Sequence, residues 1–119
     1  MNEGAAIEER MIEKRSAQRA HIVLQAEIIS GSNIYGGIIK NFSETGLYIE
    51  TVPTREITDF IPEKSLELKF KSSHGETINL KCEVVWLYSK KLQHGLKQNN
   101  LGVEITVPSM KYKRFIKTL

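Results

Sequence analysis

A single cysteine, Cys82, stands in the 119 residues of the chain, so no disulfide can close within it. That expectation points to a reducing compartment. No stretch approaches the roughly 18 consecutive apolar residues that a membrane span requires. Residues 1–13 are broken by charges where an export signal would need an apolar run, so the chain reads as cytoplasmic, with no membrane insertion. The three histidines, His21, His74 and His94, are scattered and give no metal-ligand spacing. Also missing are a Walker-type glycine loop, a strand–turn–helix nucleophile elbow and a His-Glu-x-x-His pair. Most carboxylates fall at loop or outward-facing positions. We therefore expect no catalytic residue, no metal and no catalytic cofactor: a binding module and not an enzyme.

What is present suits one ordinary domain, with 40% hydrophobic and 26% charged residues and enough length to bury a single core. The net charge of +3 is unevenly spread. Four glutamates (Glu3, Glu8, Glu9, Glu13) against Arg10 leave residues 1–13 at −3, so the remainder carries +6. A body of that charge favours an anionic partner, although a lysine-rich surface can equally be a solvated one.

Residues 1–13 read as an arm, partly helical or disordered, because Ile7 and Met11 make too short a stripe to hold a helix alone. The polar, basic run 14–20 reads as a loop. From His21 the apolar period becomes two: Ile22, Leu24, Ala26 and Ile28 mark a half-buried strand. A turn at Gly31-Ser32-Asn33 leads to a return strand over 34–40, in which Gly36-Gly37 suggests a bulge or bend. After Asn41–Gly46, a third strand starts at Leu47 and Ile49. Residues 51–63, with Pro53 and Pro62, read as a crossover loop. Leu66, Leu68 and Phe70 alternate next, and Ser72–Gly75 turns the chain. The clearest strand follows, with Ile78, Leu80, Cys82, Val84, Trp86 and Tyr88 expected on one inward face. Residues 89–100 read as a polar loop, and Leu101, Val103 and Ile105 as a last strand. Past Pro108, Tyr112, Phe115, Ile116 and Leu119 fall at helical spacing. Six short strands with one closing helix are best stabilised as a closed or nearly closed antiparallel barrel. The expected layout is an arm at 1–13, a loop at 14–20, a mainly β barrel at 21–107 and a C-terminal helix at 108–119.

Two short motifs stand out. Arg15-x-x-x-Arg19 is a spacing that also occurs on idle, solvated segments. Its guanidinium groups are nonetheless planar, permanently charged forks that match phosphate oxygens and the O6/N7 edge of guanine, and they can stack on a purine. Asn41-x-Ser43-x-x-Gly46 reads equally as a hairpin turn, since Asn and Ser cap turns and Gly relaxes the backbone. It could also offer a carbonyl oxygen, a hydroxyl and a close backbone approach to a base edge. One predicted hairpin separates the two motifs, and a hairpin returns the chain to near its start. Both polar sets can then face one pocket.

With Val84-Val85-Trp86, Gly102-Val103-x-Ile105 and the short C-terminal helix, these motifs resemble a PilZ domain over residues from about 14 to 119. That bacterial family comprises receptors for the second messenger cyclic di-GMP. The resemblance implies a six-stranded antiparallel barrel and the ligand cyclic di-GMP. Arg15 and Arg19 would grip phosphate and guanine edges, Asn41 and Ser43 would hydrogen-bond the base, and Gly46 would keep the turn open. It implies a change of conformation that signals to a downstream partner protein in motility or biofilm regulation. In two places the chain differs from the commonest pattern. Asn41 stands where many members carry Asp, and an amide offers one acceptor oxygen where a carboxylate offers two. Lys14, just before the first arginine, joins the candidate ligand contacts and is compatible with a stacked ligand pair. Alternatives are a PilZ-like protein adaptor without nucleotide binding and a nucleic-acid-binding small barrel. The latter is disfavoured because Tyr35, Tyr48 and Tyr88 form no evident stacking row in the sequence.

Overall fold

The computed structural model describes residues 22–56, 58 and 60–119. The expected arm and the basic loop with Lys14, Arg15 and Arg19 lie outside these described residues. Among the described residues six strands form: β1 (Leu24–Ser30), β2 (Asn33–Phe42), β3 (Gly46–Thr51), β4 (Ser65–Lys71), β5 (Thr77–Lys91) and β6 (Lys97–Val107). One helix, α1 (Met110–Lys117), follows. The strands close a barrel in the order β1-β2-β3-β6-β5-β4, with β4 pairing back to β1 and every pairing antiparallel.

The period-two pattern closes the barrel because alternate residues can share one interior. Ile28, Ile39, Ile49, Leu68, Ile78, Leu80 and Leu101 are buried there. Each such side chain contributes about 1.5–3 kcal/mol by leaving water. One mouth is closed by α1, whose Tyr112 and Phe115 are buried. The Phe115 ring meets Phe42 at 5.3 Å and Phe70 at 5.7 Å, edge to face in both cases. Among the described residues, no helix is long and apolar enough to cross a membrane.

Three details depart from the sequence expectations. The irregularity in β2 lies between Ile39 and Asn41 and not at Gly36-Gly37. Gly37 serves close packing instead, for a Cβ there would sit 2.9 Å from the Ile28 side chain. Residues 89–100 are no loop: β5 and β6 continue as a long hairpin around a 3₁₀ turn at Gln93–Gly95. Its residues are polar because the hairpin runs past the core and most of its side chains are solvated. Buried Asn99 ties it down. The Asn99 backbone N–H donates to Thr51 Oγ1 at 2.9 Å, its side-chain Nδ2 donates to Thr58 Oγ1 at 3.1 Å, and Ser89 Oγ donates to its side-chain Oδ1 at 2.7 Å.

The third departure matters most. A register shift between Val84 and Trp86 breaks the alternation of β5. Val84 stays inside, whereas Trp86 and Tyr88 face outward, 45% and 60% exposed. A bulge of this kind re-aims every side chain beyond it.

Candidate functional site

The turn from Phe42 to Gly46 is built by its own residues. Ser43 N–H donates to the Gly46 carbonyl at 3.0 Å, Ser43 Oγ donates to the same oxygen at 3.0 Å, and Gly46 N–H donates back to Ser43 Oγ at 3.0 Å. The hydroxyl of Ser43 is thus a clasp within the turn. Gly46 is required by proximity, because a Cβ there would lie 2.8 Å from the Val103 carbonyl oxygen on the adjacent strand. The turn is anchored from outside as well, by Ile105 N–H donating to the Thr45 carbonyl at 2.8 Å and Tyr112 Oη donating to the Ser43 carbonyl at 2.6 Å.

Asn41 sits on the irregularity of β2, half-buried and opposite Tyr48. Phe42 beside it points into the core. The Asn41 side chain makes no hydrogen bond to any described residue and lines a surface depression of about 360 Å³, together with Ser43, Gly46, Tyr48, Trp86 and Glu104. The structure thus brings Asn41, Ser43 and Gly46 to one rim.

An aromatic shelf completes that rim. Across the sheet Tyr48 is opposite Gly102, and Gly102 is opposite Trp86. Gly102 has no side chain, so the Trp86 indole lies across β6; a Cβ there would run into the ring. The indole stacks on Tyr48 with centroids 5.7 Å apart and planes 30° from parallel. Tyr48 is fixed in turn by donating its hydroxyl to Glu50 at 3.2 Å, and Lys40 approaches the same carboxylate oxygen at 3.6 Å. Desolvation, followed by the Glu50 charge and hydrogen bond, pushes the Tyr48 phenol above its usual range. It therefore stays a neutral donor at neutral pH. Trp86 as an outward-facing residue escaped the period-two reading, and so did its pairing with Tyr48. Gly102, directly opposite Trp86 in the ladder, is the signal that could have exposed it.

The described part of this rim is polar and aromatic but not cationic. Lys40 is engaged with Glu50, and Glu104 brings a carboxylate to the far side. Among the described residues, no group of three or more His, Cys, Asp or Glu side chains is placed to hold a metal ion.

A closed six-stranded antiparallel barrel, capped by a helix and carrying a polar turn beside an exposed aromatic pair, defines the class as a small helix-capped β-barrel domain. The PilZ domain profile matches residues 13–119, and the chain belongs to the PilZ domain family. Among solved structures it is similar to MrkH of K. pneumonia in its apo state, with TM-score 0.66 and 12% identity, covering 90% of this chain and 50% of that one. It is also similar to the Bacillus subtilis inhibitor of motility MotI/DgrA, with TM-score 0.61 and 14% identity, covering 84% of this chain and 46% of that one. The chain thus spans about half the length of each. A comparison with curated proteins finds no match in sequence.

Proposed function

We propose that this chain is a cyclic di-GMP receptor, reading a guanine on the rim described above and gripping the ligand's phosphates with Arg15 and Arg19. The observation that carries the reading is the Asn41 amide, unpartnered among the described residues and set beside an exposed indole face. Such an amide can meet the Watson–Crick edge of a base, and an aromatic face stacks on the base plane, contributing about 1–3 kcal/mol per base. Ser43 serves here as the clasp that shapes the turn. Gly46 serves by letting β3 approach β6.

The charge of the rim supports a division of labour. A dinucleotide with two phosphates needs cations, and Lys40 is already engaged while Glu104 repels. The phosphate contacts must come from elsewhere in the chain. Arg15 and Arg19, with Lys14 before them, have the chemistry for it. Binding would then alter the conformation of this segment relative to the barrel and signal to a partner protein.

Calorimetry with cyclic di-GMP on the wild-type chain and on Arg15→Ala and Arg19→Ala tests this. Each charged hydrogen bond contributes about 1.5–3 kcal/mol, so each variant should bind at least roughly tenfold more weakly. No heat with the wild type would favour the protein-adaptor reading instead. Binding that survives both substitutions would refute the arginine clamp. The Tyr48–Trp86 stack, with Tyr88 exposed two residues on, gives one specific support to a single-stranded nucleic-acid surface. Tight binding to an oligonucleotide, weakening steeply with salt, would select that reading.

A further inference from the structure

We propose that Tyr112 is a positioning residue for the base-reading turn, so that α1 and the Asn41–Gly46 segment act as one coupled unit; the proposal rests on the nucleotide reading above. Helix α1 holds this segment at two consecutive residues. The Phe115 ring packs edge-on against Phe42, and Tyr112 Oη donates to the Ser43 carbonyl at 2.6 Å. Asn41 is the next residue along. Its side chain is aimed at the depression only while Phe42 stays inside and the Ser43 carbonyl stays turned toward the helix. Tyr112 is 1% exposed, so its hydrogen bond is sheltered from competing water. Burial also keeps the phenol protonated well above neutral pH, so the donor is always present. Without it, the Ser43 carbonyl would lose its helix anchor, and the turn would rely on its own clasp and on the Ile105–Thr45 bond.

Positioning of this kind has a thermodynamic consequence. If α1 orders the turn that the ligand uses, then ligand on the turn must order α1 by the same coupling free energy. Occupancy of the rim would thus be felt at the helix, whose Lys111, Lys113, Arg114 and Lys117 present a basic surface on the outside of the domain.

The test compares full-length wild type, Tyr112→Phe and Ile28→Val. The last is a mid-barrel change that costs a similar amount of stability without touching the turn. Calorimetry gives the dissociation constant for cyclic di-GMP, and amide hydrogen exchange reports on Ser43, Gly46 and α1. Tyr112→Phe should weaken binding by roughly five- to tenfold, as the loss of one buried hydrogen bond implies. It should also speed exchange at Ser43 and Gly46, whereas Ile28→Val stays within about twofold of wild-type affinity. Undiminished affinity in Tyr112→Phe, or an equal loss in Ile28→Val, overturns the proposal. If wild type binds no cyclic di-GMP, the nucleotide reading fails by itself. The positioning role is then judged on exchange, and unchanged protection of Ser43 and Gly46 in Tyr112→Phe overturns it.

Discussion

Gly46 and Gly102 face one another's strands across the β3–β6 ladder, yet a methyl group would act differently at each. At Gly46 the obstacle is the Val103 carbonyl oxygen, 2.8 Å from an added Cβ. Backbone in a closed ladder cannot step aside, so Gly46→Ala should force two strands apart at a cost of about 1–3 kcal/mol. At Gly102 the obstacle is the Trp86 indole, which can swing into solvent. The expected loss for Gly102→Ala is that of the stack on Tyr48, about 0.5–1.5 kcal/mol. Trp86 is the only tryptophan in the chain, so its emission reports on this site alone. Gly102→Ala should shift that emission to the red, lower the melting temperature less than Gly46→Ala does and, on the proposed nucleotide reading, weaken cyclic di-GMP binding severalfold. An unshifted spectrum would mean that the indole does not lie across β6.

Helix α1 is too short to hold itself together, and its ends show how it is kept. Ser109 Oγ accepts from Tyr112 N–H at 3.0 Å as the N-cap, and Arg114 and Lys117 in the last turn suit the negative end of the helix dipole. Ser109→Ala should cost about 1 kcal/mol, and Ser109→Asp should restore most of it. The residue whose N–H loses its partner is Tyr112 itself. Ser109→Ala should therefore also speed amide exchange at Tyr112 and Lys113, and Ser109→Asp should slow it again; equal exchange in both variants would count against the cap. The helix was legible in advance because Tyr112, Phe115 and Ile116 repeat at its period and all meet the core. The barrel strands were legible wherever one face is buried and the other wet, as in the strict alternation of β3. Legibility failed where that contrast fails. Trp86 and Tyr88 continue the apolar beat of β5 in sequence, but the bulge after Val84 turns them to an outer face that an aromatic pair covers for itself. The hairpin past Ser89 has little core beneath it, so its strands carry no apolar stripe to read. At the site, the Asn41–Gly46 turn could be placed from its residue types. The shelf beside it could not, because it is made by register across three strands.

The barrel as a whole encloses two groups that ionise in alkali, and this gives the folded state a pH dependence of definite sign. Burial pushes the Cys82 thiol from 9.0 up to about 12. Burial, and then the neighbouring Cys82, raises the Tyr112 phenol as well. In the unfolded chain both ionise at their ordinary values, so above pH ~9 the unfolded state sheds protons that the native state retains. Stability from this source is complete below the ordinary thiol value. It is lost as pH rises toward the folded value, by up to about 1.4 kcal/mol per pH unit for each group. Other groups also change charge in alkali, so the contribution must be isolated by difference. Urea midpoints at pH 8 and pH 10.5 for wild type and Cys82→Ala provide that comparison, since the other groups are common to both. The alkaline loss should be smaller in Cys82→Ala by about 1–2 kcal/mol. Because Tyr112 remains, a residual slope should persist in that variant and diminish further when Tyr112→Phe is added. Parallel losses in all three chains would show that the barrel lets water reach its interior before it unfolds, and that neither group is held protonated by the fold.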